Sequence, residues 1–183
     1  MKIAEADILI VPGLGGASAD HWQTNWVKKM PTAQLVEQEN WTNPDPEKWA
    51  DKLHHAIMMC TRPVVLVGHS LGVHTISRTA QKLTDTKVAG AFLVAPLDIE
   101  NNKNVSKKSQ KFAPIVQDPL PFPSLMIGSS NDPFCDVEAA AQMAAAWGAN
   151  FNNAGEIGHV NPKAGFGPWP EGLMAFANLM RRI

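Results

Sequence analysis

The pentapeptide Gly68-His69-Ser70-Leu71-Gly72 follows directly on the apolar run Val64-Val65-Leu66-Val67. A buried strand that breaks into a sharp turn and then a helix, with serine at the apex, is a nucleophile elbow. The turn lifts the serine Oγ above the carboxyl edge of a sheet, where a substrate carbonyl can reach it. The flanking glycines have a steric cause, because side chains there would clash where strand and helix pack closely. By chance a bare G-x-S-x-G arises in roughly one chain of this size in twenty to thirty. The apolar strand before it, and Val73, Ile76, Ala80 and Leu83 at helical spacing after it, carry the weight.

A serine hydroxyl is a weak nucleophile until a base takes its proton, and the base needs an acid to fix its tautomer. On an elbow of this kind the three follow in the order Ser, acid, His. His159, in Gly158-His159-Val160-Asn161, is the only histidine after the last expected strand. It is the expected base, against the alternative of a solvated loop histidine. Asp132, in Ser129-Ser130-Asn131-Asp132-Pro133, follows the fifth strand and is the expected acid. Its other reading is an Asx turn or helix cap ahead of Pro133. Asp136 is a rival acid that fits better as the cap of the next helix, and Asp98, after the fourth strand, is a weaker one.

Acyl transfer also needs two N–H donors aimed at the developing oxyanion. Leu71, at the helix N-terminus, supplies one. The loop Gly13-Leu14-Gly15-Gly16 after the first strand should supply the other, from Leu14 or else Gly15. That loop lacks G-x-G-x-x-G and any Gly-Lys-Ser/Thr, so a nucleotide cradle is poorly supported. His69 reads as a structural neighbour of the serine, with a substrate contact as its alternative, and Trp22 as a pocket residue beside the glycine-rich loop. Cys135 lacks a base or a second cysteine nearby and reads as a buried thiol.

The elements needed to position these groups are legible. Short apolar runs beginning near Ile8, Leu35, Val64, Val88, Leu125 and Phe151 alternate with amphipathic stretches. Helices are expected from about Asp20 to Lys29, after the Asp45-Pro46 start, after the elbow, through Ala139 to Trp147, and from Pro170 onward. Alternation of this kind implies a mostly parallel six-stranded sheet with helices on both faces. Right-handed crossovers give the order 2-1-3-4-5-6. Pro96 to Pro123 has little helical periodicity and is expected to be a partial flap over a shallow, open pocket.

The bulk numbers narrow the function. The chain has 183 residues, enough for one domain over 1–183 with a full core. With 16 basic against 17 acidic side chains and no basic stripe, nucleic acid and anionic membranes are not expected partners. Cys60 and Cys135 are the only cysteines, which suits a reduced compartment and offers no metal-ligand cluster. Met1 to Asp7 carries acids where a signal peptide would be apolar, so a cytoplasmic location is expected. Neither cofactor nor metal is expected.

Several segments together resemble the small lidless serine hydrolases of the retinoblastoma-binding protein 9 type, especially bacterial members. They are Val11-Pro12-Gly13-Leu14-Gly15-Gly16 with His21-Trp22-Gln23, the elbow, Leu120-Pro121-Phe122-Pro123-Ser124, Ser129 to Pro133, and Gly158-His159-Val160-Asn161 with Gly165-Phe166-Gly167-Pro168-Trp169-Pro170. The resemblance implies a three-layer α/β-hydrolase fold without a cap domain and a Ser70, Asp132, His159 triad. Pro12-Gly13 stands where larger hydrolases commonly have His-Gly, which leaves the second oxyanion donor open. Some relatives bind a pocket protein through L-x-C-x-E, a pattern neither cysteine fits. The expected function is a serine hydrolase acting on small-molecule esters or related acyl compounds. The alternatives are a non-catalytic binding protein on the same fold, or acyl transfer or C–C cleavage on the same triad.

Overall fold

Six short strands, the inner four rich in β-branched or small apolar residues and the edge strands more polar, form one parallel sheet in the computed structural model, which describes residues 1–84 and 87–183. They are β1 (Asp7–Val11), β2 (Ala33–Leu35), β3 (Val64–His69), β4 (Val88–Val94), β5 (Ser124–Gly128) and β6 (Asn150–Asn153). Their spatial order is β2-β1-β3-β4-β5-β6, and every neighbouring pair is parallel. The expected order therefore holds. β3 lies inside the sheet and is buried along its whole length, which is why Val64 to Val67 is uniformly apolar rather than alternating.

Alternate residues of the central strands feed two cores. Leu9, Leu66 and Leu93 face one way, with α2 (Pro46–Met59), α3 (Leu71–Ala80) and α4 (Val137–Ala146) packed over them. Ile8, Val65 and Phe92 face the other, under α1 (Trp22–Lys29) and α5 (Pro170–Met180). The result is three layers, helix on sheet on helix. On the second side Trp22, Trp26, Trp169 and Phe176 pack ring against ring, Trp22 edge to face with Trp26 and Trp169, and Trp26 stacked on Trp169 and tilted against Phe176.

Element starts follow their caps. The Asp45 carboxylate accepts the N–H groups of Glu47 and Lys48 ahead of Pro46 at the first turn of α2. α1 begins at Trp22 rather than near Asp20, because His21 is its N-cap and its Nδ1 accepts the Gln23 N–H. Asp136 occupies the N-cap position of α4, but its side chain makes no capping bond.

Between β4 and β5 the chain carries one short 3₁₀ turn, Ser109–Phe112, and otherwise irregular backbone. Two side chains from the helical layer hold this flap. Arg78 of α3 donates to the Phe112 carbonyl at 2.9 Å, and the Trp147 indole N–H donates to the Val116 carbonyl at 2.6 Å.

Candidate active site

Ser70 follows β3 and occupies the N-cap position of α3 with φ 57° and ψ −123°, a conformation that non-glycine residues rarely adopt. The surrounding structure enforces it. The Ser70 N–H donates to the Val94 carbonyl at 3.0 Å, and the Ser70 carbonyl accepts from Val73 at 3.0 Å. The elbow sits hard against the end of β1. A methyl group at Gly72 would overlap the Val11 carbonyl, and one at Gly13 would come within 2.8 Å of Ser70 Cβ. Gln23 links the same two strands from the other side, its Nε2 donating to the carbonyls of Val11 and Val67, each at 3.3 Å.

The groups singled out in the sequence converge at the carboxyl ends of the strands. His159 Nε2 lies 2.9 Å from Ser70 Oγ, and His159 Nδ1 lies 2.8 Å from Asp132 Oδ2. All three side chains are largely buried. Phe134 packs edge-on against the His159 ring with centroids 4.7 Å apart. Asp132 also makes the turn that was its alternative reading, because its other oxygen, Oδ1, accepts the Phe134 N–H at 2.9 Å. One carboxylate thus makes both contacts. Asp98 is used locally, accepting from the N–H and Nδ2 of Asn101 at 3.1 and 3.0 Å.

The two candidate oxyanion donors of the first loop differ in their partners. The Gly15 N–H donates to the Trp41 carbonyl at 2.9 Å, and Gly16 to Gly13 at 3.0 Å. Leu14 lines the cavity beside Ser70.

The loop of His159 is held by contacts that the sequence does not announce. His69 Nε2 donates to the His159 carbonyl at 2.8 Å, and Trp22 Nε1 donates to the next carbonyl, that of Val160, at 2.9 Å. Val160 itself has φ 47°, costly for a β-branched residue. Trp22, expected at the pocket, is fully buried behind the histidine loop and does not line the cavity. His69 does line it. Ser129 and Asn131, which flank the acid in sequence, tie its loop to the base. Ser129 Oγ accepts the Ile157 N–H at 3.1 Å, and Asn131 Oδ1 accepts the Gly158 N–H at 2.6 Å.

Burial governs the titratable neighbours. It pushes the His21 imidazole down to about 4, with Asp20 pulling the other way and His159 adding to the fall. His69 is lowered well below the ordinary histidine value, first by burial and then by His159 and His21. The buried Cys135 thiol is pushed up to about 12, by burial first and then by Asp132, Asp98 and Asp136, which disfavours its thiolate form. Among the described residues no cluster of histidine, cysteine and carboxylate side chains could hold a metal ion.

A cavity of about 290 Å³ opens beside Ser70 and His159. Its near wall is Gly13, Leu14 and His21, and its far wall comes from the flap, through Leu97, Asn104, Val105, Ser106 and Ser109. The flap covers the site more than expected, leaving Ser70 only 9% exposed.

Comparison with known proteins agrees with this architecture. The profile of a family described as serine hydrolase matches residues 8–178. A YdeN-like hydrolase, so named by likeness, from Pectobacterium atrosepticum is 32% identical over 96% of this chain and 90% of its own, with a TM-score of 0.84. The YdeN protein of Bacillus subtilis shares the fold at 20% identity, with a TM-score of 0.78 over 97% of this chain and 99% of its own. So does an α/β-superfamily protein from Xanthomonas campestris, at 17% identity and a TM-score of 0.69 over 98% and 99% of the two chains. No curated protein matches the chain significantly. Among the described residues no helix is long and apolar enough to cross a membrane.

Proposed function

The chain belongs to the serine hydrolase family, and from that premise we propose that it cleaves small esters or related acyl compounds through an acyl-enzyme on Ser70. The observation that carries this reading is the unbroken hydrogen-bonded chain from Ser70 Oγ through the His159 ring to Asp132 Oδ2. In it Ser70 Oγ attacks the carbonyl carbon while His159 Nε2 takes the hydroxyl proton. Asp132 holds the Nδ1–H and stabilises the imidazolium that forms. The N–H groups of Leu71 and Leu14 hold the negative oxygen of the tetrahedral intermediate. Collapse expels the alcohol, which leaves with the proton from His159. Water, deprotonated by the same ring, then attacks the acyl-enzyme and frees the acid and Ser70.

In this reading residues 1–183 act as one domain that needs no cofactor. The free, buried Cys60 and Cys135 support placing it in a reducing cytoplasm. The test is labelling by a fluorophosphonate together with turnover of p-nitrophenyl esters of rising acyl length. Wild type is expected to take the label and turn over the short esters. Ser70→Ala is expected to lose the label and several orders of magnitude of turnover. An alanine variant as active as wild type overturns the proposal.

A further inference from the structure

The motif His21-Trp22-Gln23 has a structural account for two of its members, since Trp22 holds the histidine loop and Gln23 links β1 to β3. His21 does something else besides capping α1. Its Nδ1 accepts the Gln23 N–H at 3.2 Å, and a ring nitrogen that accepts carries no hydrogen. The neutral ring therefore bears its hydrogen on Nε2. The ring is 95% buried, wedged against His69 at a centroid distance of 4.9 Å and against Trp22 at 5.6 Å. It lines the cavity that holds Ser70 Oγ. Among the described residues nothing accepts from Nε2–H, and that atom is not sealed in the core. With the imidazole pushed down to about 4, the ring stays a neutral donor at physiological pH.

The rest of the cavity has the same character. Among the described residues no lysine, arginine, aspartate or glutamate lines it, and Leu14, Leu97, Val105 and Phe134 give it apolar walls. The flap adds a second donor. Ser106 Oγ and Ser109 Oγ are 3.1 Å apart, and Ser106 Oγ also accepts the Ser109 N–H at 3.2 Å. One hydrogen serves the bond between the two hydroxyls, so the other is left to turn toward the cavity. A cavity of about 290 Å³ is small for a ligand pocket, so it suits a short arm.

Resting on the hydrolase reading of Ser70, we propose that His21 is a substrate-binding residue. Its Nε2–H donates to an ether, keto or hydroxyl oxygen on a short, uncharged arm of the bound ester. A purely hydrocarbon arm leaves that donor unpaired in a partly desolvated wall, and an anionic arm meets no counter-charge.

The test compares isosteric esters that differ by one oxygen for one methylene. On the acyl side the pair is p-nitrophenyl methoxyacetate and butyrate, and on the alcohol side 2-methoxyethyl acetate and butyl acetate. Each kcat/KM is divided by the rate of hydroxide-catalysed hydrolysis of the same ester. Wild type is expected to favour the oxygen-bearing member in at least one pair, which also tells which arm enters the cavity. His21→Asn keeps a good N-cap but removes the ring donor, and it is expected to lower that preference about fivefold. His21→Ser, which also caps, repeats the comparison, and if neither variant folds the wild-type preference decides. Equal normalised rates in both pairs, or a preference that survives His21→Asn, overturn the proposal. Failure of wild type to take a fluorophosphonate at Ser70 instead overturns the hydrolase reading on which it rests.

Discussion

The indole N–H of Trp22, at the start of α1, donates to the carbonyl of Val160, 138 residues further along the chain. Val160 directly follows His159 and is held at positive φ, so this bond fixes the backbone from which the His159 ring projects. Trp22→Phe removes the donor and part of a fully buried ring. We expect a loss of about 2–4 kcal/mol, from the cavity and from a buried carbonyl left unpaired. A urea midpoint measures that, and kcat/KM on an activated ester should also fall. A variant as stable and active as wild type would show that the His159 loop holds itself.

Asp132 separates from its rivals by substitution. An amide at 132 favours the wrong His159 tautomer, so Asp132→Asn is expected to cost roughly 10²–10⁴ in turnover, the upper end being the loss seen when the triad aspartate of a serine protease becomes an amide. Asp98→Asn and Asp136→Asn should stay within a few-fold of wild type, because neither carboxylate contacts the His159 ring. Measuring kcat/KM for the three folded variants decides it. A crippled Asp98→Asn beside a nearly normal Asp132→Asn would move the acid to the loop after β4.

Gly13→Ala tests how tightly the first loop and the elbow are set. The added Cβ would lie 2.8 Å from Ser70 Cβ and 3.1 Å from Ser70 Oγ. Something must shift, and the groups in its way are the Ser70 side chain and the His69 carbonyl, beside the loop carrying Leu14. We expect at least a tenfold fall in kcat/KM in a protein that still folds. Unchanged turnover would mean that the loop yields without affecting the site.

Stability should fall on mild acidification. His21 and His74 are both held near 4 by burial, although the Leu97 carbonyl beside His74 opposes the shift. Above the unfolded value of about 6.5 neither state is protonated and the pair contributes no pH dependence. Between about 6.5 and 4 the unfolded chain binds protons that the folded one refuses, so folding weakens as pH drops. Each histidine can remove on the order of 3 kcal/mol by pH 4. Thermal midpoints at pH 7, 6, 5 and 4 should be flat at first and then decline. His74→Gln should flatten the decline, and an equal slope in that variant would exclude His74 as a source.

The elbow, the strand order and the placement of Asp132 and His159 can be read from the chain because each has a local signal. Gly68-x-Ser70-x-Gly72 follows a run whose apolarity reports burial on both faces, and parallel topology then orders the acid and the base. What is not legible depends on contacts between distant segments. Nothing near Trp22 says that its N–H reaches Val160, and its proximity to Gly13–Gly16 suggests a pocket wall instead. Ser129 and Asn131 look like ordinary turn residues, yet their oxygens receive Ile157 and Gly158. For Asp132 the two readings look like competitors, whereas a carboxylate has two oxygens and each is used. Asp136 has the right type and place for a cap, but its side chain does not close the bond.

The flap is moored to the helical layer through Arg78 and Trp147, and neither anchor touches Ser70, His159 or Asp132. The flap also reaches the loop of Asp132, since Asn102 and Asn104 donate to the Pro133 carbonyl at 3.2 and 2.9 Å. Residues 105–109 lie between two such fixed points, the Asn104 bond to Pro133 on one side and the Arg78 bond to Phe112 on the other. The wall they add to the cavity through Val105, Ser106 and Ser109 is thus framed at both ends, so its shape is set by a short stretch with fixed endpoints.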